Sequence, residues 1–173
     1  MSRLVGVTAL TLALLTAIAP SALADSPRPW HPYQGADGYT LPAGTACDFQ
    51  LSSTTIEDKE RYRVVEKWPD GSTKREEWTG LLVVEYTNDD TGESVRRNLT
   101  GRGDFLYGRD GGWSLVNMGG HFAAVLYEGD DPGPGVYVVR GKGFSVSGSP
   151  DGHRVLDPSG NGNVENVCET LAS

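Results

Sequence analysis

Between Gly119 and Ser147 three short runs, HFAAVLY (His121 to Tyr127), VYVVR (Val136 to Arg140) and GFSVS (Gly143 to Ser147), are cut apart by GDDPGPG and by Gly141-Lys142. Such runs, rich in Val, Phe and Tyr and bounded by Gly, Pro and Asp, are the pattern of antiparallel strands joined by tight turns: branched and ring side chains pack well on a pleated surface, and the bounding residues close the turns. Each strand of this kind has an apolar face that other strands must cover. The chain is therefore expected to be all-β, with this stretch at its centre.

Covering strands can be read on both sides. Ala46 to Leu51 sets Cys47, Phe49 and Leu51 on one face in a period of two, and is expected to be the first strand. Glu60 to Trp78 reads as a hairpin about Pro69-Asp70-Gly71, where Pro fixes φ and Gly accepts the left-handed conformation of a three-residue loop. That loop sets Tyr62 opposite Trp78, Arg63 opposite Glu77 and Glu66 opposite Lys74, pairs that attract across strands. The many charges of this hairpin read as a solvated face guarding an edge. Leu81 to Thr87 and Ser94 to Thr100 flank a polar turn ending in Gly92-Glu93, and the first of them, apolar on both faces, is expected to lie centrally. Phe105 to Tyr107 and Trp113 to Val116 are strand halves about a glycine-rich turn, and His153 to Leu156 is a further strand. Val164 to Leu171 has helical spacing but also suits a strand. The count, about eight to ten short strands with short connections, predicts an up-and-down antiparallel meander, either a lipocalin-like barrel or a sandwich, with a short C-terminal helix or strand.

The ends of the chain add a second constraint. Arg3, the uncharged run Leu4 to Ala19 and Ala22-Leu23-Ala24 have the form of a signal peptide over residues 1–24; the run is shorter than the ~20 apolar residues a membrane span needs. Residues 25–44, with four prolines and three glycines, read as an N-terminal arm. Its aromatics Trp30, His31, Tyr33 and Tyr39 either pack back across the mouth of the domain or leave the arm disordered. Residues 45–173 form one β domain. In a secreted chain Cys47 and Cys168 are expected to form a disulfide; the alternative, a reactive thiol, is disfavoured by Glu165 and Glu169 near Cys168. The formal charge is -8, without a basic block, which argues against nucleic acid or an anionic membrane as partner.

Catalytic and cofactor patterns are absent from the sequence: no G-x-S-x-G, H-E-x-x-H, C-x-x-C, P-loop or G-x-G-x-x-G occurs, so no cofactor and no metal are expected. Asp157 to Asn163 alternates oxygen-bearing side chains like the first half of a calcium loop, but Cys168 stands where the closing carboxylate is needed, and an ordinary polar loop is the reading. Arg102-Gly103-Asp104 spells an integrin tripeptide, which a chain this rich in Gly, Arg and Asp produces by chance. Gly129 to Gly135 reads as a stiff structural turn.

The signal peptide, the cysteine at the first strand, Thr-Asn-Asp-Asp-Thr-Gly, Gly-Arg-Gly-Asp-Phe followed by Asp-Gly-Gly-Trp, Gly-Pro-Gly-Val and the Val-Cys-Glu-x-Leu ending together resemble small secreted proteins of high-GC Gram-positive bacteria. The resemblance implies a β domain with a terminal disulfide over Ala46 to Leu171 and carries over no catalytic residue. Size and strand count also resemble lipocalin-type barrels, although the Gly-x-Trp of lipocalins is missing from Ala46 to Leu51.

The leading expectation is a secreted, monomeric, non-enzymatic domain that binds a small hydrophobic ligand or an extracellular protein or cell-wall partner. The competing one is a small barrel enzyme of isomerase or cyclase type with His121, Tyr107 and Glu128 as acid or base, chosen because they sit at strand ends. A cell-envelope structural or inhibitory protein is the third.

Overall fold

The computed structural model describes residues 28–172; the signal peptide read at residues 1–24 lies outside the described residues. Its elements in order are β1 (His31–Pro32), β2 (Gly38–Leu41), β3 (Leu51–Asp58), β4 (Arg61–Lys67), β5 (Thr73–Gly80), β6 (Leu82–Asn88), β7 (Ser94–Asn98), β8 (Gly101–Tyr107), β9 (Trp113–Leu126), β10 (Gly135–Lys142), β11 (Ser145–Gly148), β12 (Arg154–Asp157), β13 (Asn161–Asn166) and α1 (Val167–Leu171). Strands β2-β3-β6-β7 form a four-stranded sheet. The other nine form a second sheet along β1-β4-β5-β8-β9-β10-β13, with β11 on β9 and β12 on β11.

The pairing has a simpler description. β3 pairs with β6 while its continuation β4 pairs with β5, and β6 pairs with β7 while β5 pairs with β8. Each consecutive pair of strands is thus one long ribbon folded at a crease, lying beside its chain neighbour on both sides of the fold. Backbone bonds carry the ladders through the creases: Lys59 N donates to Leu81 O (2.7 Å), Leu99 N to Leu82 O (2.8 Å) and His121 N to Thr100 O (3.0 Å). β10 and β11 continue one another along β9 in the same way, with β12 and β13 outside them. The result is an antiparallel up-and-down meander folded over into two facing sheets. The sheets do not close on one another, and the architecture fits a sandwich.

Two glycines make the creases possible. A Cβ on Gly80 would lie 2.4 Å from Lys59 O, and one on Gly120, at φ 87°, would lie 2.6 Å from Thr100 O. Neighbouring ribbons touch backbone to backbone there, and any side chain would force them apart.

The inner faces make two cores. Phe49, Leu51, Val84, Tyr86, Leu99, Val136, Val138, Val167 and Leu171 fill the space between the sheets, and Leu126, Val139, Phe144, Val146 and Leu156 pack on the far side of β10. β10, alternating between the two, is buried on both faces, so Val136 to Arg140 is central as expected. Across the nine-stranded sheet runs a ladder of rings, His31–Tyr62 (5.6 Å), Tyr62–Trp78 (5.1 Å), Trp78–Phe105 (5.6 Å) and Phe105–Trp113 (6.1 Å), with Tyr33 on Trp78 at 4.9 Å. Its opposite face carries the charges, among them Arg63–Glu77 and Arg75–Asp104.

Several expectations meet their structure here. Tyr62 pairs with Trp78 and Arg63 with Glu77, and Trp68 N to Ser72 O closes a three-residue loop with Gly71 at φ 88°. Bulges at Val64/Glu66 and Glu66/Lys67 shift the far end, so Glu66 pairs with Arg75 and reaches Lys74 only as an ion pair. Ala46 to Leu51 is not a strand: Ala46 to Phe49 is a run of bends in which Ala46, Cys47 and Phe49 are buried, and the strand begins at Leu51. The arm is not a bare extension either. Its strands β1 and β2 edge β4 and β3; His31 packs on Tyr62 and Tyr33 on Trp78, Tyr39 lines the inner side, and Trp30 lies instead under Arg61 and Arg63 on the charged face. Arg102-Gly103-Asp104 lies inside β8 with Asp104 held by Arg75, and is not displayed on a loop. The Gly129 to Gly135 turn is anchored through Asp131, whose N–H donates to Arg154 O (3.0 Å) and whose O accepts from Leu156 N (2.9 Å).

Helix α1 settles the ambiguity at the C-terminus. Asn166 caps it by accepting from Cys168 N (3.1 Å), Val167 and Leu171 are buried, and Asn88 donates to Leu171 O (3.0 Å). The Cys47–Cys168 disulfide joins this helix to the bends before β3, 121 residues away in sequence. A ring of that length restricts the unfolded chain by about 4–5 kcal/mol on the loop-entropy model. Replacing both cysteines by serine is expected to lower the unfolding free energy by about that amount, less any relief of native strain. Urea denaturation of the oxidised protein against the double variant measures it; equal midpoints would refute the clasp.

Candidate functional site

Folding each ribbon over leaves a space under the creases. The inner faces of β3, β5, β6, β8 and β9 line a cavity of ≈ 450 Å³ that is open on one side. It stays unfilled because its walls are set with small residues, Gly101, Gly103 and Ala123, among Leu82, Val84, Leu99, Phe105 and Leu115. Gly103 is not free to take a side chain, since a Cβ there would lie 2.9 Å from Leu115 Cδ1 and 3.0 Å from Val116 O. The arm forms one lip: Tyr33 N donates to Glu60 O (2.9 Å), Gly35 N to Asp58 Oδ2 (3.2 Å) and Thr55 N to Asp37 O (2.8 Å).

Polar groups in this lining are few, and each has a describable state. Asn117 is satisfied, donating to Gly141 O (3.0 Å) and accepting from Gly119 N (2.8 Å), and so holds the bend of β9. Tyr39, Ser53 and Tyr86 all line the cavity, and burial pushes both phenols above their ordinary range. His121 faces the cavity with Ala123 and Val125, and its buried Nδ1 has no hydrogen-bond partner among the described residues. Asp58 is spent on structure: its oxygens accept from Gly35 N and from Glu60 N (2.9 Å). The bulge between Thr55 and Glu57 turns Asp58 to the inner side, opposite Leu82. Glu60, two residues on, has no side-chain partner among the described residues, and burial, then the charge of Asp58, push its carboxyl up.

The three residues singled out as acid or base are not assembled. His121 lines the cavity, Tyr107 lines a separate shallow groove beside Trp113 and Pro150, and Glu128 is exposed in the turn after β9. Tyr107 donates to Glu76 Oε2 (2.9 Å), which also accepts from Trp78 Nε1 (3.0 Å); burial, then this carboxylate, push the phenol up, a state suited to holding the ring ladder and not to giving up a proton. Among the described residues no group of three or more His, Cys, Asp or Glu is placed to hold a metal ion, and Asp157 instead accepts from Ser159 N (2.8 Å) in its own turn. Sequence reasoning pointed to Tyr33 and Tyr39 of the arm but missed Asp58, Glu60 and Tyr86, whose convergence depends on creases that no local pattern marks.

Comparison with protein-family models, with curated proteins and with solved structures finds no match. The fold and the cavity therefore carry the functional argument.

Between the two sheets, Arg97 on β7 meets Glu165 on β13 through a forked pair, Nε to Oε2 at 2.9 Å and Nη2 to Oε1 at 2.5 Å, with both side chains 17% exposed. Thr170 Oγ1 (3.0 Å) and Arg140 (3.2 Å) complete the set around the carboxylate. Hydrogen bonding to Arg97 is the main reason that the Glu165 carboxyl sits below its ordinary range. A depressed carboxylate contributes stability that is present above its unfolded pKa and is lost as pH falls through the folded one. Glu165→Gln is expected to cost about 2 kcal/mol near neutral pH, below the ~3–5 of a fully buried pair, and the cost should begin to fall near the ordinary carboxylate pKa of about 4.3 and be lost only at still lower pH, where the folded carboxyl takes up its proton. Denaturation midpoints of both proteins across that range measure it; a cost independent of pH would refute the assignment.

Proposed function

We propose that this protein is an exported, non-enzymatic carrier or sensor that binds one small, largely apolar molecule in the cavity under the creases. The single observation behind this reading is the cavity itself: ≈ 450 Å³, apolar and aromatic on most of its wall, with a handful of polar groups at fixed places. That is the composition and size of a small-molecule site, where apolar area supplies affinity and a few polar atoms supply orientation. A non-enzymatic role is supported by the scatter of His121, Tyr107 and Glu128 over three places. Export is supported by the form of residues 1–24 and by the disulfide, which persists in oxidising compartments. Among the described residues, no helix is long and apolar enough to cross a membrane.

The neutral dye N-phenyl-1-naphthylamine tests the cavity. Saturable fluorescence enhancement with one dye per chain is expected, and Ala123→Phe, which fills the wall, is expected to weaken it about tenfold or more while the circular dichroism spectrum is retained. No saturable enhancement, or binding indifferent to Ala123→Phe in a folded variant, overturns the reading. Export is tested by intact mass and N-terminal sequencing of the protein recovered from culture medium: the expected chain starts at Asp25 with both cysteines oxidised, and retention of the whole chain in cells overturns it.

A further inference from the structure

The polar complement of the cavity says more than that something apolar enters it. Glu60 and Asp58 stand together where β3 turns into β4, and both belong to the cavity lining with Tyr33, Trp78 and Phe105. Asp58 has its two oxygens committed to backbone N–H groups, whereas the Glu60 side chain has no partner among the described residues. Lys59 between them is turned away, paired with Glu57 at 2.5 Å. Half-buried carboxylates usually bring a cation, and elsewhere in this fold they do: Glu77 has Arg63, Asp104 has Arg75 and Glu165 has Arg97. Glu76 has the donors of Tyr107 and Trp78 in place of a cation, and Asp58 has two backbone N–H groups; the Glu60 carboxylate, which faces the cavity, has neither cation nor donor among the described residues.

We infer that the ligand is an organic cation, an apolar body in the cavity carrying an ammonium group that rests against Glu60 at the lip among the rings of Tyr33 and Trp78. Rings and a carboxylate around one position are the chemistry that recognises an alkylated ammonium, because the ring faces and the carboxylate both present negative potential in a partly dry setting. The same burial and the same Asp58 charge that penalise ionised Glu60 are what a ligand cation would offset. A fatty acid or other anion would instead meet two carboxylates, against which the lining sets a single Arg, Arg102 on β8. This inference rests on the cavity being the binding site, and the test separates the two.

Isothermal titration of the mature protein near neutral pH with decyltrimethylammonium, decanol and decanoate compares one chain length with three head charges. The cation is expected to bind about tenfold or more tighter than the alcohol, and decanoate more weakly than either. Glu60→Gln should remove the preference for the cation and leave decanol unchanged; Glu85→Gln, on the outer face of β6, should change neither. Equal affinity for cation and alcohol, tighter binding of decanoate, or a cation preference that survives Glu60→Gln overturns the inference while leaving the cavity reading intact. If none of the three binds, the cavity reading fails and takes the inference with it.

Discussion

Every feature above depends on backbone ladders that pass unbroken through a crease. A long antiparallel strand is stiff along its length, and folding it sharply normally exposes N–H and C=O groups that must find partners. Here the bonds from Lys59 N, Leu99 N and His121 N to the neighbouring ribbon satisfy the groups at the bend itself. That is possible only where ribbons approach to backbone contact, which Gly80 and Gly120 permit. The two sheets, the cores between and behind them, and the cavity are consequences of this one local arrangement.

The disulfide acts on a different part of the problem. The creases set which ribbons lie side by side; they do not hold the open edges of the sheets together. The first bends and the last helix lie next to one another in space, and the Cys47–Cys168 bond with the Asn88 to Leu171 contact fastens the front of the chain to its end. Arg97 and Glu165 do the same between β7 and β13. A sandwich that does not close by backbone pairing is closed by side chains.

Most of the strands were legible because period-two alternation survives in short windows, and the Tyr62–Trp78 register was legible because loop length alone fixes it. The disulfide could be read from two cysteines and an N-terminal stretch with the form of an export signal. The creases could not, since Leu81 to Thr87 looks the same whether the chain before Gly80 runs straight or folds back. Ala46 to Leu51 misled for a related reason: alternation of buried residues is a property of one-sided packing, and a tethered bend has it as well as a strand. Strand β3 escaped because Ser-Ser-Thr-Thr reads as polar connection, although Ser53 and Thr55 line a cavity where hydroxyls are wanted.

Glu60 shows where such reading must stop. In sequence it is one acid among the many charges of a hairpin that reads as a solvated face, and its neighbours Arg61 and Arg63 do lie on that face, over Trp30. What separates Glu60 from them is alternation combined with the crease. It shares the inner side with Tyr62, and the fold at Asp58 brings that side over the cavity, while the bulge at Ile56 turns Asp58 inward beside it. Of the two acids, Asp58 is consumed in fixing the arm and the corner. The corner is therefore rigid without Glu60, and a side chain that the fold does not use, held at the lip of an apolar space, is available to a ligand.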